Sequence, residues 1–260
     1  MKAIFRVWFA TALLATATRV PAINAGAPPL PTLEDIFKRV MERARREDEN
    51  ERSFNEQFFY VRSRTTEFHN SKGEVKKHDA KTSTNNPAIK VVVLRPVPPP
   101  VLPSGTNQPV SDTHSNVRGK AFDKNDFLLN GDLLRRFEFK LAGRETVHGR
   151  TALVLDFAPK KNLPERNLKD KFINKAAGRV WVDEGDYALG KVAIRLSERV
   201  NVLGGLVGAI WKFTYDFDRE RTADGLWFTR EANWHLEGRE VLFQRTVDYH
   251  EERTDVRKAK

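Results

Sequence analysis

A mainly β (α+β) fold built on an antiparallel sheet is predicted by three stretches of this chain. Residues 178–196 read GRVWVDEGDYALGKVAIRL. Val180 and Val182 flank Trp181, DEGD supplies a turn, and Val192, Ile194 and Leu196 alternate with Ala193, Arg195 and Ser197. Alternation at period two on both sides of a Gly/Asp turn is the mark of a hairpin with one buried face. In the last third, Trp211, Phe213, Tyr215 and Phe217 alternate with Lys212, Thr214, Asp216 and Asp218. Turns at Ala223-Asp224-Gly225 and Glu237-Gly238-Arg239 then lead into LWFTREANWHL and EVLFQRTVDYH, which makes a meander. Ahead of the strands, Leu33, Ile36, Phe37, Val40, Met41 and Ala44 recur at helical spacing. That pattern predicts an amphipathic helix of about 15 residues with Thr32 as its N-cap.

The first 25 residues have the layout of a cleaved secretory signal: a basic start (Lys2, Arg6), an apolar run over 7–17, and small residues near Ala22 and Ala25. The apolar run is too short for the roughly 20 residues of a spanning helix, although a retained anchor is the competing reading. This points to export to the periplasm, with residues 26–260 as one domain. The chain has no cysteine, which rules out disulfides, a thiol nucleophile, Cys-based zinc sites and a lipidated N-terminal Cys. Stability must then come from the core, and about 235 residues suffice to bury one of good size. Net charge is +10 for the whole chain; the first 25 residues hold three basic residues and no acid, so +7 remains without them. Acids and bases are interleaved, as in RREDENER and DFDRERTADG, which reads as a solvated surface rather than a nucleic-acid interface. A basic exported protein is drawn to anionic headgroups.

Along the domain, GAPPLP leads into the amphipathic helix, and FFYVRSRTTEF, HNSKGE and VKKHDAKTST read as a polar, largely exposed hairpin. Residues 90–97 (KVVVLRPV) form a short apolar strand, and 98–119 a long loop rich in Pro, Ser, Asn and Gly. A short helix is expected within 123–134. RFEFKL puts Phe137, Phe139 and Leu141 on one side; a turn over Glu145, His148 and Gly149 precedes ALVLDF, with Leu153 and Leu155. A helix is expected within 161–177, started near Pro164 and stopped by Gly178. Ordered aromatic faces on neighbouring strands imply a curved sheet wrapped around a core or a cavity.

The helix before the strands, the segment FEFKLAGRETVHGRTALVLDFAPK and the hairpin GRVWVDEGDYALGKVAIRL together resemble the LolA-like superfamily of periplasmic proteins. The resemblance implies an unclosed half-barrel with the N-terminal helix and one or two further helices as a lid. It also implies a lipid or an acylated protein as ligand, and it supplies no catalytic residues. An acyl chain of sixteen carbons buried in such a groove would gain roughly 12 kcal/mol before ordering costs. The candidate lining is Phe37, Val40 and Met41 on the helix; Phe137, Phe139, Leu153, Leu155, Trp181 and Ile194 on the middle strands; and Trp211, Phe213, Tyr215, Phe228, Trp234 and Phe243 on the last ones. The alternative is that these side chains pack on each other and leave no cavity.

Residues 202–210 (VLGGLVGAI) join two strands. Leu203, Gly204, Gly205 and Leu206 form either a flexible apolar flap that touches lipid or a buried connection. No G-K-[ST] follows the glycines, so this is not a phosphate loop. Asp183, Glu184 and Asp186 read as turn formers, with a metal or acid/base role as the alternative, DKND at 123–126 lacks EF-hand spacing, and the six histidines show no HExxH or HxH spacing. No metal or cofactor is called for, and no catalytic triad can be assembled. Three functions stay open: a non-catalytic lipid or lipoprotein carrier, an envelope-stress sensor that binds an inner- or outer-membrane protein, and an enzyme with an acid pair. The first is the leading expectation.

Overall fold

The computed structural model describes residues 28–88, 131–202, 208–240 and 243–259. The signal-like segment, the strand expected over 90–97, the Pro-rich loop and the flap at 203–206 lie outside these. Pro31–Lys260 form one compact unit.

Helix α1 (Leu33–Ala44) begins where the Thr32 hydroxyl accepts a hydrogen bond from the Asp35 amide at 3.1 Å, with Glu34 and Asp35 in the first turn. Its face buries Ile36 and Val40 completely or nearly so. A second helix, α2 (Glu47–Gln57), follows directly where no element is expected from the sequence, and the charged residues of RREDENER stay exposed or half-buried on it. With one large apolar residue, Phe54, it shows no apolar stripe. It is held instead by side-chain anchors, among them the ion pair of Glu47 with the buried Arg219. The Phe54 ring stacks on Phe58, Tyr60 and Phe228 with centroids 5.1, 5.4 and 5.0 Å away. The Asn50 amide donates to the Trp227 carbonyl at 2.7 Å and accepts from the Trp227 amide at 3.0 Å.

The strands are β1 (Phe58–His69), β2 (Val75–Asn85), β3 (Phe137–Val147), β4 (Arg150–Pro159), β5 (Ala176–Asp183), β6 (Leu189–Leu196), β7 (Val200–Val202), β8 (Gly208–Arg221), β9 (Trp227–Glu240) and β10 (Phe243–Lys258), with short helices α3 (Gly131–Arg136) before β3 and α4 (Leu168–Ile173) before β5. All ten strands join one sheet in the order β2-β1-β10-β9-β8-β6-β5-β4-β3, with β7 on β8. Every pairing is antiparallel, and the edge strands β2 and β3 do not meet among the described residues, so the sheet is open. No helix among the described residues is long and apolar enough to cross a membrane.

Two expectations are corrected here. The helix within 161–177 is confined to Leu168–Ile173, capped by the Asn167 side chain on the Asp170 amide, and Gly178 does not stop it. Gly178 sits inside β5, where a Cβ would lie 2.0 Å from the Ala193 carbonyl oxygen and 2.9 Å from the Phe157 ring. Glu237-Gly238-Arg239 is likewise not a turn. β9 runs through it to Glu240, and a Cβ on Gly238 would meet the Ala209 carbonyl oxygen at 2.7 Å. These glycines serve close backbone approach, not turning.

Strand register sorts the sheet into two faces. The outer face carries charged pairs such as Arg179 with Asp156 and Lys212 with Glu237, both within 2.7 Å. Lys212, with His235 second, pulls the Glu237 carboxyl down to about 2. Helices α1 and α4 pack on the inner face.

Candidate functional site: an amphiphilic inner face

Cross-strand neighbours line up in rows on the inner face. One row begins at Phe139 and runs through Phe157, Gly178 and Ile194. It continues through Tyr215, Trp234, Tyr249 and Thr66. The neighbouring row starts Leu141, Leu155, Val180, Val192 and ends Phe217, Ala232, Glu251, Arg64, Lys81. The inner face is thus apolar from β3 to β9 and becomes cationic across β10, β1 and β2.

On the β3–β6 side the predicted lining packs on itself. Val40, Phe137, Leu153, Leu155 and Ile194 share one buried cluster, with Phe37 and Phe139 against it in an edge-on pair 4.8 Å apart. Here α1 fills the space that an acyl chain would need. Phe213 is sealed in a second cluster with Phe172 of α4, Val200 and Leu236, and Phe228 belongs to the Phe54 stack. Met41 is half-buried on α1. Trp181 lies on the opposite, outer face with Ala152 and Val154, its indole N–H donating to Glu145 at 2.7 Å. Trp211 stands at a register shift under the Arg199 guanidinium, and Phe243 is 73% exposed. Of the lining predicted on β8 and β9, Tyr215 and Trp234 remain on the inner face, half-buried. Trp234 stacks on Tyr249 with centroids 5.5 Å apart and planes at 11°.

Two hollows are bordered mainly by polar groups. A small one of about 60 Å³ lies among His148, Arg150, Asp183, Arg219 and Trp227. A wide cleft of about 710 Å³ between the helices and the β5–β6 turn is bordered by Arg39, Arg43, Arg46 and Arg221 and by Glu42, Glu49 and Asp186. The acids of that turn act as turn formers and as ion-pair partners. The Asp183 carboxylate accepts from the amides of Gly185 and Asp186 and pairs with Arg150 at 2.6 Å. Glu184 pairs with Arg144 at 2.6 Å. Among the described residues no cluster of His, Asp and Glu could hold a metal.

The cationic end is built from β1 and β10. Arg62 stands opposite Arg253, and Arg64 opposite Glu251. Arg62 donates to both carboxylate oxygens of Glu251, and the Tyr249 hydroxyl donates to the same carboxylate at 2.6 Å. Burial alone would raise the Glu251 pKa; the Arg62 and Tyr249 hydrogen bonds outweigh it and hold the carboxyl below its ordinary range. Burial, with the Glu251 charge second, pushes the Tyr215 hydroxyl up to about 12. The Arg253 guanidinium lies 5.0 Å over the Tyr60 ring. The Nε atoms of Arg64 and Arg253 are buried without a hydrogen-bond partner. Reading FFYVRSRTTEF as a polar exposed hairpin misses this group. The signal is the same alternation, which puts Tyr60, Arg62, Arg64, Thr66 and Phe68 on one face.

No protein family's sequence profile matches the chain, and none of the curated proteins does. Solved structures do resemble it. A domain named for outer-membrane lipoprotein sorting, from Vibrio parahaemolyticus, is 12% identical, with a TM-score of 0.35 over 86% of this chain and 92% of that one. A LolA-superfamily protein from Nitrosomonas europaea is 9% identical, with a TM-score of 0.31 over 89% and 94%. MucB of Pseudomonas aeruginosa, solved in complex with MucA, is 8% identical, with a TM-score of 0.25 over 87% and 99%. All three TM-scores lie below 0.5, so ligand and partner are argued from this chain's own side chains.

Proposed function

We propose that this is a non-catalytic envelope protein that holds an acyl chain, of a lipid or an acylated protein, against the inner face of its open sheet. The observation that carries this reading is the row Tyr215–Trp234–Tyr249, aromatic and half-buried, between a sealed apolar core and a cationic edge. A fully sealed core would exclude a ligand, and a fully polar face would not attract one. The groove is placed along β8–β10 rather than under α1, where the side chains already fill the space. Each methylene that leaves water there is worth about 0.8 kcal/mol, so a chain of sixteen carbons contributes roughly 12 kcal/mol towards an association cost of about 4–15 kcal/mol. The signal-like segment supports a periplasmic location for this activity, next to the membranes that supply such ligands.

The test is native mass spectrometry, with lipid extraction, of the protein purified from a periplasm. A stoichiometric adduct of acyl-chain mass is expected. A clean apo mass from gently handled protein overturns the reading and moves the search to a membrane-protein partner.

A further inference from the structure

We infer that Arg62, Arg64 and Arg253 form a site for a phosphate group at the head of the bound amphiphile. This inference rests on the acyl-binding reading and extends it by naming the chemistry of the head.

Register puts like charges opposite each other twice on this face: Arg62 faces Arg253 across β1–β10, and Lys81 faces Arg64 across β1–β2. Cross-strand like charges destabilise a sheet, and an anion bound here would relieve the repulsion. Glu251 offsets only part of it, because both of its oxygens are taken by Arg62. Asp79, which faces Thr66, is paired with Lys77 at 2.5 Å. Three guanidinium groups and Lys81 against the Glu251 carboxylate leave an excess of positive charge, which the two negative charges of a phosphate monoester would largely offset.

The donors are also in place. The Nε atoms of Arg64 and Arg253 are buried and unpartnered, and a buried donor without an acceptor costs free energy until something supplies one. An oxyanion supplies it, and the planar arginine fork suits phosphate. Arg253 is held in place by the Tyr60 and Phe54 rings beneath its guanidinium, at 5.0 and 5.9 Å. The aromatic row ends at Tyr249, whose hydroxyl bonds Glu251, the acid directly opposite Arg64. Tail surface and head site are therefore contiguous on one face.

The experiment compares two probes with one acyl chain, palmitoyl lysophosphatidic acid and palmitoylglycerol, alongside inorganic phosphate. It uses the full chain, the double substitution Arg64→Gln with Arg253→Gln, and a charge-matched control, Arg39→Gln with Arg46→Gln, in the separate polar cleft. Arg64→Gln alone is the second variant should the double one fail to fold. The parent is expected to bind the phosphate probe at least tenfold more tightly than palmitoylglycerol. In the double variant that ratio falls to within twofold while palmitoylglycerol binding is kept, and the control retains the full ratio. Equal affinities for both probes in the parent overturn the head site and leave the acyl reading standing. An undiminished ratio in the double variant overturns the assignment to these arginines. Binding of neither amphiphile overturns the acyl reading; if inorganic phosphate then binds in an Arg64- and Arg253-dependent way, the site is one for free phosphate.

Discussion

Arg62 grips Glu251 with both ends of its fork, Nε to Oε1 at 2.8 Å and Nη2 to Oε2 at 2.6 Å, across β1 and β10. The Glu251 side chain is 8% exposed and the Arg62 side chain 33%. Half-burial and bidentate geometry make this pair worth more than a surface bridge, and its loss leaves Arg62 facing Arg253 unopposed. Glu251→Gln is expected to destabilise the protein by about 2 kcal/mol, read as a lower urea midpoint with unchanged slope.

The same pair sets an acid response. The Glu251 pKa is depressed in the folded protein, so the unfolded chain binds its proton first as pH falls. The stabilisation is complete above the ordinary glutamate value of about 4.3 and disappears as pH drops through the depressed folded value. Urea midpoints measured from pH 6 down to pH 3 should therefore fall less steeply in Glu251→Gln than in the parent. Parallel profiles would show that Glu251 does not contribute to acid sensitivity.

Phe54 is fully buried and stacks on three rings, yet it is the one large apolar anchor of α2. Phe54→Ala is expected to cost about 3–5 kcal/mol. It should also release α2, seen as faster amide exchange over residues 47–57 than over α1. Equal exchange in the two helices would mean that the polar anchors, Asn50 on Trp227 and Glu47 on Arg219, hold α2 without the Phe54 ring.

Alternation makes the sheet legible in the sequence. The β5–β6 hairpin and the strand at Phe213, Tyr215 and Phe217 follow the period, as α1 follows its own. Helix α2 is illegible because Phe54 alone gives no stripe, and Gly238 misleads because a glycine for close approach looks like a glycine for turning. The candidate site is only half legible. Period two states which residues share a face, so it groups Leu153 with Leu155 and excludes Trp181, which alternates against Val180 and Val182. It does not state what covers that face, and α1 covers the part where most of the predicted lining lies.

Gly178 gives a sharp steric case. The nearest atom to an added Cβ is backbone, the Ala193 carbonyl oxygen at 2.0 Å, with the Phe157 ring next at 2.9 Å. Neither can withdraw cheaply, because Ala193 pairs with Arg179 in the ladder and Phe157 is in the core. Gly178→Ala is expected to lose about 2–3 kcal/mol by overpacking. An unchanged melting temperature would require the β5–β6 pairing to shift there, visible as altered amide shifts at Arg179 and Ala193.

The aromatic row separates binding from folding. Trp234 and Tyr249 stack on each other on the inner face and are only half-buried, so shortening one should cost the fold less than emptying the sealed cluster around Leu153. Trp181 on the outer face is the control, since it touches Ala152 and Val154 and shares no row with Trp234 and Tyr249. Trp234→Ala is expected to weaken palmitoylglycerol binding about tenfold, or about 1.4 kcal/mol, and Trp181→Ala to leave it within twofold. The check is titration of the probe followed by native mass spectrometry at matched folded fraction. Equal losses in the two variants would place the acyl chain somewhere other than on this row.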